Sequence, residues 1–256
     1  MTKEFQKIVY EHYRKCRRTF PWRHTRDPYR ILVSEIMLQQ TQVERVIPFY
    51  KKFLKKFPTP RSLAGARLPD VLKVWQGLGY NRRAKFLHES AKVIAKNGFP
   101  KEPVEIEQLP GVGHYSARAI AIFAFNKPEV CIETNIRTVF FHHFFKNHKK
   151  VSDAQIKRYI ARTLDHENPR KWYSALMDYG AYLKQSGVRL NSKSKHYIKQ
   201  SKFDGSHRQL RGRILKMALT EGKVDIKKLS KEMKKPPALL RAAADSLRRE
   251  GLLHAE

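Results

Sequence analysis

Two carboxylates in this 256-residue chain lie in sequence contexts that push them toward opposite chemistries. The first is Glu35, in the run from Tyr29 to Gln42, Tyr-Arg-Ile-Leu-Val-Ser-Glu-Ile-Met-Leu-Gln-Gln-Thr-Gln. Helical spacing puts positions 31, 32, 38 and 39 on the face of position 35, so Glu35 projects from among Ile31, Leu32 and Leu38. Apolar company raises a carboxyl pKa, and a carboxyl that keeps its proton near neutral pH is a general acid. A Glu at the edge of the stripe, turned to water, would do none of this. The second is Glu133, which precedes Thr134-Asn135-Ile136-Arg137 and an apolar helical pattern through Val139, Phe140, Phe141 and Phe144. Glu133 or Thr134 then occupies the N-cap region, where the helix dipole favours an ionised carboxylate; capping alone is also a sufficient reason for the residue. One protonated and one ionised acid suit the cleavage of a glycosidic bond, which needs a proton for the leaving group and an anion near the cationic sugar. Just beyond Glu35, Gln39, Gln40, Thr41 and Gln42 offer neutral donors and acceptors. They suit base edges or a gap in a duplex, and equally a solvated helix end.

The elements that must position such groups centre on residues 107–137, which predict a helix, a glycine hairpin and a second helix. Pro110, Gly111 and Gly113 make a tight turn, and from His114 onward Ala117, Ile120, Ala121 and Ala124 give one apolar face. A hairpin that ends in a helix N-terminus points backbone N–H groups outward, and glycines remove the side chains that would hold a phosphate away. An ordinary αα-hairpin has the same pattern without the ligand. Gln76-Gly-Leu-Gly-Tyr80-Asn81-Arg82 repeats the theme of glycine turn, aromatic and basic helix start, with Tyr80 placed to wedge between bases or to be buried in its turn. Upstream, Arg17 to Arg23 form a basic, aromatic turn in which Trp22 either stacks or plugs a seam, and Arg23 is a candidate backbone contact.

Further helices are predicted at 3–16, from Asp27-Pro28, at 43–57 until Pro58 and Pro60, and at 68–75, 83–97, 153–166 and 169–185. Residues 1–185 therefore form the core, 186–206 a basic linker, and 207–256 a small module. The module has helices at 209–219, 225–233 and 238–250, the last carrying Arg241, Arg248 and Arg249. That pattern fits a helix-turn-helix or truncated winged helix, or a plain three-helix packing unit.

Composition narrows the partners. The chain has 53 Lys and Arg against 23 Asp and Glu, a formal net charge of +30, which points to a polyanion and first to nucleic acid. A basic membrane-surface protein is the competing class, disfavoured because no apolar run reaches spanning length and no Lys/Arg-faced amphipathic N-terminal helix is read. Only Cys16 and Cys131 are present, which speaks against a disulfide scaffold, a zinc knuckle or a four-cysteine cluster and for a reducing compartment. The N-terminus starts in a helical pattern without a signal-peptide core, so a cytoplasmic location is expected; a nucleoid-associated monomer is the accompanying expectation.

Taken together, Pro21-Trp22-Arg23, Ser34 to Gln42, Gly77-Leu-Gly-Tyr80, Leu109-Pro-Gly-Val-Gly113, Glu133-Thr-Asn135 and Met177-Asp-Tyr-Gly180 resemble the helix-hairpin-helix (HhH-GPD) DNA glycosylases of base-excision repair. Within that superfamily the resemblance is to the MutY-type adenine-specific mismatch glycosylases. It covers residues 20–185 and implies an all-α, two-lobed glycosylase core with a cleft between the lobes. It implies that Glu35 protonates the leaving adenine and that Glu133 stabilises the sugar cation or its covalent successor. Tyr115 and Asn135 would shape the pocket around the sugar. Gln39, Gln40, Gln42 and Tyr80 would occupy the space around the estranged base, with Arg82 and Arg23 as further DNA contacts, while Gly111, Gly113 and His114 hold a phosphate.

The chain also departs from the family. Glu133 stands where relatives carry Asp, and Asn81 where a second aromatic is usual. The four cysteines expected after Gly180 are missing, so no iron–sulfur cofactor and no metal are expected. The small helical module takes the place of the domain that recognises 8-oxoguanine. Position 115, Lys in the bifunctional lyases, is Tyr, which favours hydrolysis by water. The resemblance thus implies a monofunctional glycosylase acting on duplex DNA with a mismatched or damaged base, first of all adenine opposite guanine or 8-oxoguanine. Thymine or uracil opposite guanine is the alternative substrate. A catalytically inactive DNA-binding protein, or a helix-turn-helix regulator, is the alternative class.

Overall fold

Prolines at helix starts and left-handed residues at helix ends divide the chain. The computed structural model describes residues 2–195 and 203–253. In order, the helices are α1 (Thr2–Cys16), α2 (Pro28–Leu38), α3 (Val43–Lys56), α4 (Pro60–Ala64), α5 (Leu68–Trp75), α6 (Arg82–Asn97), α7 (Pro103–Ile106) and α8 (His114–Phe125). They continue with α9 (Thr134–Phe144), α10 (Asp153–Thr163), α11 (Pro169–Gln185), α12 (His207–Glu221), α13 (Ile226–Met233) and α14 (Pro237–Arg249). Among the described residues there is no strand, only a single bridge between Val151 and Ser194.

Boundaries differ from the sequence expectation at several helices, and the helix expected to open residues 107–137 lies before them, as the four-residue α7 that Pro103 starts. Pro60, read as a stop, sits in the first turn of the short α4, which Thr59 opens through a capping box with Ser62. The helix expected to reach residue 166 ends at Thr163, because Asp165 Oδ1 accepts from the amides of Glu167 and Asn168 and turns the chain. At Asn126 the chain breaks, with φ +56° capping α8.

The chain folds into two compact units and passes between them several times. The first holds residues 1–35, 100–108 and 112–199; the second holds 36–99, 109–111 and 200–256. In the first, α9 and α11 are the central pair, with α1, α8 and α10 packed around them. Their core is aromatic: Phe5, Phe140, Phe141, Trp172 and Tyr173 are all buried. Gly180 sets how close the central pair comes, since a Cβ there would lie 2.2 Å from the Asn135 carbonyl oxygen.

Asp178, on the same helix, is buried and receives both Arg18 and Arg23. Arg18 Nε donates to Oδ1 at 2.7 Å, and Arg23 donates from Nη1 to Oδ2 at 2.7 Å and from Nη2 to Oδ1 at 2.9 Å. Removing this carboxylate leaves two guanidiniums facing each other without a counter-charge. Asp178→Ala is therefore expected to cost about 3 kcal/mol or more, seen as a lower denaturation midpoint. Beyond α11, the start of the 186–206 segment is docked on this unit: Val188 and Leu190 lie against the core, Val151 N donates to Lys193 O, and Thr138 Oγ1 donates to Asn191 Oδ1. Residues 196–202 of the segment lie outside the described residues.

In the second unit, α3, α4, α5 and α6 pack around Phe53, Leu63, Trp75 and Leu87. The C-terminal helices α12 and α13 both pack on α14, and α12 also packs on α5. Arg211 forms a two-pronged pair with Glu250, and Lys85 donates to the Glu250 carbonyl at 2.6 Å.

Candidate active site

Glu35 lies near the C-terminal end of α2, 7% exposed, and accepts no hydrogen bond among the described residues. Ile31, Leu32 and Val33 beside it in sequence are buried as well. Removal from water raises its carboxyl to about 8, and the negative charge of Glu133 pushes in the same direction. At neutral pH Glu35 is therefore a carboxylic acid with a proton to give.

Glu133 is the N-cap of α9. Its Oε1 accepts from the amides of Asn135 and Ile136, each at 2.8 Å, and its Oε2 accepts from Asn135 Nδ2 at 3.2 Å. Glu133 thus caps the helix, and its charge is felt at Glu35. Asn135 is held in turn by Lys184 of α11, whose Nζ donates to Oδ1 at 2.8 Å. Tyr115, in the first turn of α8, is half-buried against the aromatic core; burial, then the nearby Glu35, drives its phenol well above the ordinary range, so it stays protonated. Cys131 is buried nearby and is held as a thiol for the same reasons.

Glu35, Glu133, Tyr115 and Asn135 thus belong to one unit and share one electrostatic neighbourhood. Two neighbours escaped the sequence reading. Lys184 is invisible there because its partner is 49 residues away. Cys131 by sequence suggests only a disulfide or a metal ligand.

The residues read as DNA contacts are distributed as follows. Gln39, Gln40, Gln42, Tyr80, Arg82 and Gly111 lie in the second unit, whereas Gly113, His114 and Arg23 lie in the first. Gln39 donates to the Gly111 carbonyl at 3.2 Å, while Gln40 (φ +55°) and Gln42 are exposed. Gly111 has φ +77°, and a Cβ on it would come 2.6 Å from Phe86 Cβ, so both backbone and space demand glycine. Around Gly113, the N-cap of α8, a Cβ would meet nothing within 4 Å, which leaves the hairpin amides approachable. His114 is exposed and its Nδ1 lies 2.7 Å from Arg118 Nη1. Arg82 is exposed over the Phe86 ring.

Tyr80 adopts φ +49°, and its hydroxyl accepts from Arg208 of α12 at 2.6 Å. Its loop is pinned by Arg83, a residue not singled out in sequence. Arg83 donates to the carbonyls of Ile36, Met37, Gln39 and Gly79 and so satisfies the open end of α2. Arg23 is turned inward. All four of its Nη hydrogens are engaged by Asp178, the Arg18 carbonyl and the Ser174 carbonyl, so it supports α11 from within the first unit instead of offering its guanidinium to a phosphate.

Nor do the donors present suit a four-cysteine iron–sulfur cluster. Cys16 is exposed and Cys131 buried, and beyond Gly180 α11 continues through Tyr182, Leu183 and Lys184 without a thiol.

An all-α chain with a glycine hairpin opening α8 has the helix-hairpin-helix glycosylase fold, and solved structures bear this out. The chain is similar to a thermostable thymine-DNA glycosylase, with a TM-score of 0.62 at 26% identity over 77% of this chain and 98% of that one. A non-covalent endonuclease III–DNA complex shares the fold with a TM-score of 0.58 at 16% identity, over 80% of this chain and 92% of that one. The family model described as HhH-GPD superfamily base excision DNA repair protein matches residues 33–165, and the chain belongs to that superfamily. Among curated relatives it is 37% identical to the adenine DNA glycosylase of Buchnera aphidicola subsp. Baizongia pistaciae over 186 residues, 70% of this chain and 52% of that protein. It is 46% identical to the adenine DNA glycosylase of Mycobacterium tuberculosis (strain ATCC 25618 / H37Rv) over 131 residues, 50% of this chain and 43% of that protein. The chain thus spans about half the length of the curated relatives it matches.

Proposed function

We propose that this chain is a monofunctional DNA glycosylase that hydrolyses the N-glycosidic bond of adenine mispaired with guanine or 8-oxoguanine, working as a monomer on duplex DNA in the cytoplasm. The observation that carries the reading is a buried Glu35, its carboxyl pushed up to about 8, whose electrostatic neighbour Glu133 caps α9. As the C1′–N bond breaks, its electron pair leaves with the base, and the Glu35 proton passes to a base nitrogen so that the base departs neutral. The sugar is left as an oxocarbenium ion, which the Glu133 carboxylate stabilises. Water then adds at C1′ and gives its proton to the Glu35 carboxylate, which restores the acid. Tyr115 and Asn135 line the sugar side. Gln39, Gln40, Gln42 and Tyr80 meet the bases, Arg82 the backbone, and the hairpin at Gly111, Gly113 and His114 a phosphate. The exposed cations of α14 add contacts that do not depend on sequence.

Similarity to the thymine-DNA glycosylase over nearly its whole length favours thymine opposite guanine as the second reading. Single-turnover excision on duplexes with A opposite 8-oxoguanine, A opposite G, T opposite G and U opposite G separates the two. Excision of adenine alone is expected, and release of thymine alone replaces the first reading with the second. In the same assay Glu133→Asp is expected to slow excision about tenfold or more, because one methylene fewer withdraws the carboxylate by about 1 Å. A rate unchanged from the parent would remove Glu133 from the chemistry.

A further inference from the structure

We propose that Lys184 is a positioning residue of this site, which orients the Asn135 amide and through it the Glu133 carboxylate. The proposal rests on reading Glu133 as the anion that faces the sugar. Lys184 sits on α11 one turn past Gly180, the position whose missing side chain lets the start of α9 lie against that helix. An ammonium only donates, so the Asn135 side chain must turn its oxygen toward Lys184 Nζ, which it meets at 2.8 Å. Its NH₂ group is thereby sent the other way, where Nδ2 donates to Glu133 Oε2 at 3.2 Å. With Oε1 already fixed by two amides, both oxygens of Glu133 are held. Flipping the Asn135 amide would set NH₂ against an ammonium and a carbonyl against a carboxylate, replacing two attractions with two repulsions.

Charge pairing points the same way. The cations whose charge acts on Lys184 are Arg137 and Arg18; Arg137 is paired with Asp153, and Arg18 shares Asp178 with Arg23. The acid left for Lys184 is Glu133, reached through Asn135. Lys184 is half-buried, where such an interaction is less screened than at the surface. A lysine spent on the surface would do none of this.

The test compares Lys184→Met with Lys184→Gln in the full chain, with Lys184→Ala in reserve should the Met variant not fold. Three quantities are read: duplex Kd, single-turnover excision rate, and amide hydrogen exchange at Asn135 and Ile136. Lys184→Met is expected to slow excision by about tenfold to a hundredfold with Kd changed less than about threefold, and to speed exchange at both amides about tenfold. Lys184→Gln, which still donates to Asn135 Oδ1, is expected to restore amide protection and most of the rate. Combined with Asn135→Ala, Lys184→Met should add no further loss, because the two act in one chain of hydrogen bonds. Unchanged excision and exchange in Lys184→Met overturns the proposal, as does full additivity with Asn135→Ala. If the parent protein excises no base from any duplex, the glycosylase reading fails, and exchange at Asn135 and Ile136 still decides whether Lys184 holds Glu133.

Discussion

Glu35→Gln is expected to reduce single-turnover base excision at neutral pH by about 10² to 10⁴-fold, the usual worth of a positioned general acid, with duplex affinity nearly unchanged. The amide keeps the shape of the acid and removes only the proton. In the parent protein the acid form is held up to about pH 8 by burial and by Glu133. Excision should therefore fall as pH rises through about 8, and the residual activity of Glu35→Gln should lack that limb. Stability carries the same signature. The native state binds the Glu35 proton more tightly than the unfolded chain, where the carboxyl returns to 4.5, so the unfolded state holds fewer protons across this interval. The stabilising contribution is complete below about pH 4.5 and is lost as pH rises to about 8, by about 5 kcal/mol at most. Glu35→Gln should flatten this part of the stability–pH curve and leave the variant more stable than the parent at pH 9. Denaturant midpoints measured at pH 5 and pH 9 check the sign. A parent protein equally stable at both, once other groups are matched by the variant, would mean that Glu35 is solvated and not an acid held in reserve.

Gly180→Ala carries the second large effect. Alanine inside a helix is ordinarily worth about 1 kcal/mol over glycine, so propensity alone predicts a more stable protein. Here the added Cβ would stand 2.2 Å from the Asn135 carbonyl oxygen and 2.6 Å from its carbonyl carbon. Those are backbone atoms that cannot swing aside as a flexible side chain can. The two helices must separate, and overpacking of this kind costs about 1–3 kcal/mol before the loss of the surrounding aromatic contacts. The displaced segment also includes Asn135, whose backbone and side chain both bind Glu133. Gly180→Ala is thus expected to lower the thermal midpoint and, in the fraction that remains folded, to slow excision by about a hundredfold. An unchanged midpoint would show that α9 and α11 can part without cost. An unchanged rate alongside a lowered midpoint would detach the placement of Glu133 from helix packing.

Much of the local setting of Glu35 and Glu133 was legible in the sequence because its determinants are local. Glu35 falls on the apolar face of its own helix by spacing alone, and Glu133 precedes its own helix by one residue. The glycine hairpin is likewise written in a few adjacent residues. Such features depend on φ/ψ preference, periodicity and capping, all of which act over a turn or two of helix. The short α4 was missed because Pro60 ends one helical pattern and starts another, and residue type alone does not say which.

The cations were a different matter. In a chain with 53 Lys and Arg, every basic residue near an aromatic or a glycine turn looks like a phosphate contact. Folding sorts them by partners that sequence does not bring near. Arg23 meets Asp178 across 155 residues, Arg170 spends its guanidinium on the carbonyls of Phe123, Arg23 and Thr25, and Arg83 on the open end of α2. Lys184 is drawn to Asn135 by the same logic. By itself, then, the sequence determined the two acids, the hairpin and the helices that carry them, since each is decided by its immediate neighbours. Which charges turn inward to hold those acids, and how closely α9 and α11 approach, was decided only by the tertiary structure. A buried charge is stable only beside its counter-charge or hydrogen-bond acceptor, and that partner is reached through the fold, not along the chain.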